Sequence, residues 1–128
     1  MAGPIKLTLA KVIEEGRKAY LERRLSAQGP TPKCAYRDES GRPCIIGAAL
    51  TDEVARAFDR RSASTVASLI EAGDIVTNAP VALPKLQHAH DRWVETRHSA
   101  AHKDAWRREA KLCKLLGLPA PTPAQGEG

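Results

Sequence analysis

The apolar side chains repeat at helical spacing along most of the chain, three or four positions apart. This periodicity predicts five helical segments: residues 8–27, 45–60, 62–73, 84–96 and 102–116. Residues that favour helix termini support these boundaries. The expected starts are Thr8, Thr51, Ser62 or Ser64, and Pro84, and the expected ends are Gly73 and Gly117.

Gly16 lies on the apolar face of the first predicted helix, where a larger side chain would be usual. Because glycine has no Cβ, it lets another element come close to the helix backbone. We therefore expect a neighbouring segment to pack against Gly16.

Residues 34–46 form the one segment whose pattern predicts paired strands. Residues 34–37 and 42–45 can pair across the four-residue turn 38–41, which ends in glycine. Pro43 has no N–H to donate to a strand ladder, so the second arm should be irregular or at an edge. The segment is expected to be a small β-hairpin that packs against the helices.

Composition agrees with a single folded domain. The 128 residues are 42% hydrophobic and 27% charged, which is typical of soluble chains. The longest apolar run, 44–50, is far shorter than the roughly 20 residues of a membrane span. No signal-peptide pattern is visible, and three cysteines do not suggest a disulfide framework, so we expect a cytoplasmic location.

These patterns together predict a mainly α (α+β) fold. We expect a compact domain of four to five helices with one small β-hairpin, formed by residues 1–117. Residues 118–128 are rich in proline and glycine and hold few apolar side chains, which predicts a disordered tail.

The net charge of +5 is concentrated in residues 85–116, which hold eight basic and four acidic side chains. At 100° per residue, the basic side chains of the last predicted helix fall largely on one face. The expected binding surface is Lys103, Arg107, Arg108, Lys111 and Lys114. Such a face suits a nucleic acid or an acidic host protein, although a solvated helix face has the same pattern. For nucleic acid, affinity should fall with salt and with exchange of Lys103 and Arg107 for glutamate.

A second hypothesis concerns Cys34, Cys44 and His90 as zinc ligands. Thiolate and imidazole suit zinc, and a hairpin could bring both sulfurs beside a histidine of a later helix. Nine residues separate the two cysteines, more than the two to four of a usual zinc knuckle. Buried core cysteines are the favoured interpretation, and we expect no cofactor.

The same residues admit nucleophilic catalysis. Cys44 could be activated by a following helix, with His90 as its base and Asp91 or Glu109 to orient the imidazole. Asp91 follows His90 directly, so its side chain points about 100° away around the helix and is poorly placed. A cysteine- and histidine-dependent enzyme or metalloprotein is thus the alternative to a binding protein without catalysis.

Several short motifs resemble a family of small, mostly uncharacterised proteins from bacteriophages and bacterial genomes. Its members carry C-x-Y, a glycine-containing turn, C-x-I-G, a D-E pair, L-Q-x-x-H-D and a helical C-terminus. The matching positions are Cys34, Tyr36, Gly41, Cys44, Ile46, Gly47, Asp52, Glu53, Leu86, Gln87, His90 and Asp91. The resemblance covers residues 34–116 with gaps and implies no activity. It implies a phage or prophage setting, in which many small proteins bind a host component.

Overall fold

The computed structural model describes residues 4–26, 36–38, 40–60, 65–97 and 105–121. Within them the chain is mainly helical, so the predicted mainly α class is confirmed. In chain order the elements are β1 (Ile5–Lys6), α1 (Leu9–Leu21), a 3-10 helix (Gly47–Ala49), α2 (Asp52–Asp59), α3 (Val66–Glu71), β2 (Ile75–Val76), α4 (Ala82–Arg97) and α5 (Ala105–Leu115). None of the helices in these ranges is both long enough and apolar enough to cross a membrane.

Threonine hydroxyls cap the starts of three helices. Thr8 accepts a hydrogen bond from the Lys11 N–H, Thr51 from that of Val54, and Thr65 from that of Ser68. The predictions for Thr8 and Thr51 are confirmed. Thr65, directly before the first apolar residue of α3, is its cap instead of the predicted Ser62 or Ser64, which lie outside the described residues.

Other helix boundaries differ from the prediction by a few residues. α4 begins at Ala82, so Pro84 is its third residue. Proline is tolerated there because the N–H groups of the first turn have no hydrogen-bond partner within the helix. α1 ends at Leu21, six residues before the predicted end. Gly73 and Gly117 have φ angles of +83° and +74° and follow the ends of α3 and α5, as expected.

The paired strands lie elsewhere than the sequence indicates. Two-residue strands β1 and β2 pair in parallel, with Ile5 opposite Ile75. In the described part of 34–46, the expected hairpin ladder is reduced to one antiparallel bridge between Arg37 and Pro43. Pro43 cannot donate a ladder hydrogen bond, which explains why regular pairing does not continue there. The turn itself forms: the Asp38 carboxylate accepts hydrogen bonds from two backbone N–H groups that follow it.

One core of buried side chains joins the five α-helices given above, β2 and the segment 44–50. A Cβ placed on Gly16 would lie 2.7 Å from Cδ1 of Ile45 and 3.2 Å from Cδ2 of Leu116. The expected close approach at Gly16 is therefore confirmed. The packing of α4 along α5 leaves a groove between them on the outer surface.

The first residues of the predicted tail contact the helices. Leu118 packs against the core, and its N–H donates to the Cys113 carbonyl at 2.8 Å. The indole N–H of Trp106 donates to the Pro121 carbonyl at 2.6 Å. Residues 122–128 lie outside the described residues, so for them the disordered tail stays a prediction.

Candidate functional site

Cys44 is a buried thiol with a defined set of partners. Its side chain is 3% exposed, and its S–H points to Oε1 of Gln87 at 3.4 Å. The sulfur accepts the N–H of Gly47 at 3.2 Å. The helix that follows is a single 3-10 turn, which has little dipole to activate a thiol. These contacts fit a core cysteine better than an accessible nucleophile.

The segment that carries Cys44 is held by a dense set of backbone contacts. Gly47 lies against the Tyr36 carbonyl so closely that a Cβ there would be 2.3 Å from its oxygen. The Arg37 guanidinium donates to the Gly47 carbonyl at 2.7 Å and to the Leu50 carbonyl at 2.9 Å. Many positions that carry the motif resemblance therefore contact one another, and their contacts position the backbone.

His90 is also buried, and its hydrogen bond is to a backbone carbonyl rather than to the thiol. Its ring is 3% exposed, and Nε2 donates to the Ser26 carbonyl at 3.1 Å. Burial lowers the pKa of His90 to about 4, so the imidazole is neutral at neutral pH. Among the described residues, Nδ1 has no hydrogen-bond partner.

The expected catalytic set is not assembled as a relay. Nδ1 of His90 and Oδ1 of Asp91 are 3.9 Å apart, and the same Asp91 oxygen accepts from Nε2 of Gln87 at 2.8 Å. No hydrogen bond joins Cys44 to His90 in the ranges the structure describes. Gln87 instead links Cys44 to Asp91, a role that sequence reasoning missed. The i,i+4 spacing of Gln87 and Asp91 on α4 was the available signal.

The zinc hypothesis is tested only in part. Cys34 lies outside the described residues, so its distance to Cys44 and His90 is not defined. The described part of the chain holds no group of three or more His, Cys, Asp or Glu side chains able to hold a metal ion. The expectation of no cofactor stays a prediction.

A basic groove runs between α4 and α5, with a volume of about 290 Å³. We define the basic groove by its lining residues: His88, Ala89 and Arg92 from α4, and Arg107, Arg108 and Lys111 from α5. Three guanidinium groups and one ammonium group thus surround a small alanine. Such a concentration of positive charge in a concave surface attracts anions more strongly than the same charges on a convex helix face.

One wall of the basic groove is fixed by hydrogen bonds. Arg108 donates to the Arg92 carbonyl at 3.1 Å and to Oε1 of Glu95 at 2.9 Å, and its side chain is only 15% exposed. Arg92 and Glu95 are 3.5 Å apart, at the limit of a hydrogen bond. Arg107 and Lys111, on α5 like Arg108, are exposed. Arg108 is therefore the ordered cation of the groove, and Arg92, Arg107 and Lys111 are the more exposed ones.

The predicted binding surface is only partly the one the structure assembles. Lys103 lies outside the described residues, and Lys114 is exposed but does not line the basic groove. Sequence reasoning missed His88 and Arg92, which lie one helical turn apart on α4. Their contribution depends on the packing of α4 against α5, which a stripe on one helix cannot indicate.

Comparison of the chain with models of known protein families, with curated proteins and with solved structures finds no match. Any functional inference therefore depends on the geometry described above.

Proposed function

We propose that this protein is a non-enzymatic binding protein whose basic groove contacts the phosphate backbone of a nucleic acid. The observation that supports the proposal is the grouping of Arg92, Arg107, Arg108 and Lys111 around one groove. Guanidinium groups bind phosphate through paired, charge-assisted hydrogen bonds, and a groove presents several of them to one strand.

The chemistry of the lining favours nucleic acid over an acidic host protein, which is the other partner we consider. Protein interfaces usually place large apolar or aromatic anchors at their centre. Ala89 is the one apolar residue that lines the basic groove within the described ranges. Contact through charge alone is typical of phosphate-backbone binding without sequence readout.

The setting is part of the same proposal. The motif resemblance supports a phage or prophage origin, in which the protein would act on a nucleic acid of the host cytoplasm. The hypothesis of a Cys- and His-dependent enzyme or metalloprotein has less support, because Cys44 bonds to Gln87 and His90 bonds to Ser26.

The test is binding of a fluorescein-labelled DNA duplex of about 20 base pairs, followed by anisotropy at low salt. Exchange of Arg107 and Lys111 for glutamate should weaken binding at least about tenfold. The matched control exchanges Lys6 and Arg56, exposed cations outside the basic groove, and makes the same change in net charge. If both double variants lose the same affinity for the duplex, binding depends on net charge alone, and a binding site in the basic groove is contradicted.

An acidic protein partner is distinguished by a competitor. Poly-glutamate carries negative charge without phosphate geometry, so it should displace the duplex poorly. Displacement by poly-glutamate and by unlabelled duplex at equal charge concentration would favour a general acidic partner instead.

A further inference from the structure

A second concave surface lies apart from the basic groove, where the end of α1 meets α4 and α5. This cleft has a volume of about 520 Å³, which is in the range of small-molecule sites. Its walls include Tyr20, Leu25 and Trp93, with Glu109 at one side and Arg23 and Arg42 at the rim. Of its apolar lining residues, Leu21 is 62% exposed, whereas Leu25 and Trp93 are 4% and 7% exposed. The cleft therefore joins the Tyr20 ring and these apolar side chains to two positive charges.

Arg23 has a backbone conformation that residues with a Cβ rarely adopt. Its φ of +58° is in the left-handed region, and it is the only residue other than glycine with a positive φ in the described chain. It follows the end of α1 in a Schellman motif: its N–H donates to the Tyr20 carbonyl, and the Arg24 N–H donates to the Ala19 carbonyl. Glycine is the usual residue here because it has no Cβ to strain. Helix termination therefore explains the left-handed backbone at this position, but it does not explain why the residue is an arginine.

The second arginine is held next to the first. Nη1 of Arg42 donates to the Arg23 carbonyl at 3.1 Å, which fixes the rim of the cleft. Neither arginine forms an ion pair within the part of the chain that the structure describes. Because neither guanidinium group is ion-paired in these ranges, both can donate to an anion bound in the cleft.

Glu109, which also lines the cleft, is a hydrogen-bond acceptor. The Glu109 carboxylate accepts the Tyr20 hydroxyl, and the Tyr20 and Trp93 rings meet edge to face with centroids 6.3 Å apart. Aromatic and leucine walls suit a flat ring, and Glu109 retains an oxygen able to accept an N–H from it. The lining therefore combines side chains suited to a ring with side chains suited to an anion.

We propose that this cleft binds a small organic anion made of a planar ring and one carboxylate or phosphate group. The ring packs along Tyr20 and Trp93, and the anionic group binds at Arg23 and Arg42. This site is independent of nucleic-acid binding in the basic groove. A nucleoside monophosphate and an aromatic carboxylate share this chemistry, and the experiment distinguishes them.

The experiment is a titration of the ¹⁵N-labelled protein followed by two-dimensional NMR. One arm uses the four common nucleoside monophosphates, and the other uses benzoate and indole-3-acetate. The indole N–H signal of Trp93 should shift with saturation, while that of Trp106, outside the cleft, should stay in place. The arm that saturates identifies the anion class. A Trp93 signal that no compound moves at millimolar concentration would overturn the proposal.

The decisive variant is Arg23→Gly, because it separates binding from folding. Glycine suits the backbone at this position, so the urea midpoint should stay the same or rise, while the ligand dissociation constant should rise at least about tenfold. Arg42→Gln should weaken binding in the same direction, and Arg24→Gln, which removes a neighbouring arginine outside the cleft, should not. Unchanged affinity in Arg23→Gly would overturn the assignment.

Discussion

The buried imidazole of His90 makes the stability of the fold depend on pH in a defined window. In the folded protein, burial lowers the pKa of His90 from 6.5 to about 4. In the unfolded chain the ring has its ordinary pKa. Below pH 6.5 the unfolded state therefore takes up a proton that the folded state excludes, and stability falls as the pH decreases towards 4.

The magnitude follows from the two pKa values. A tenfold change in proton affinity is worth about 1.4 kcal/mol, so the full effect is about 3 kcal/mol. Most of this, roughly 2 to 3 kcal/mol, should be lost by about pH 4.5. Asp91 acts in the opposite direction: burial raises its pKa, so its protonation becomes more favourable in the folded state as the pH falls. Asp91 therefore offsets part of the His90 contribution in the wild-type protein.

Urea unfolding of wild type and His90→Gln at a series of pH values measures the contribution of His90 to the pH dependence of stability. His90→Gln keeps an amide N–H that can donate to the Ser26 carbonyl but cannot take up a proton. The free energy of unfolding of this variant should fall about 2 to 3 kcal/mol less than that of wild type between about pH 7.5 and 4.5.

Two results would refute this reasoning. If His90→Gln and wild type lose stability in parallel, the imidazole is not held neutral by the fold. If NMR titration gives His90 a pKa near 7, the residue has the proton affinity of a general base, and the enzyme hypothesis regains support.

The remaining predictions concern the segment around Cys44. Gly47→Ala should cost at least about 2 kcal/mol in urea unfolding, because its Cβ would meet a rigid backbone carbonyl. The free energy of unfolding of Gly16→Ala should stay within about 1 kcal/mol of wild type, because its Cβ meets the end of a side chain and alanine favours a helix. Equal losses of stability in the two variants would contradict both predictions. With Cys34 and Cys113 exchanged for serine, the native Cys44 thiol should react with Ellman's reagent at least about a hundredfold more slowly than in urea. A rate like that of a free thiol would contradict its burial.

Local chemistry explains which parts of the fold could be predicted. The caps at Thr8 and Thr51 and the helix ends near Gly73 and Gly117 depend on atoms within a few residues, so the sequence contains their signal. The turn after Asp38 is local in the same sense.

The parts that could not be predicted depend on contacts between distant segments. β1 and β2 are two residues long and about 70 positions apart, too short to show alternation. The contact of Cys44 with Gln87 spans 43 positions, and it decides that the thiol faces an amide rather than an imidazole. The candidate site divides in the same way: Arg107 and Lys111 could be found from one helix, whereas Arg92 joins them only after two helices pack.

The claim that the basic groove is the binding surface, rather than a stripe along α5, is tested most directly by two single substitutions. Arg92→Gln removes a positive charge of α4 that lines the basic groove. Lys114→Gln removes a positive charge of α5 that lies on the predicted stripe but does not line the basic groove. The measurement is the slope of log affinity for duplex DNA against log salt concentration. The groove predicts that Arg92→Gln reduces this slope by about 1 and that Lys114→Gln leaves it nearly unchanged. A reduced slope for Lys114→Gln together with a wild-type slope for Arg92→Gln would contradict the groove.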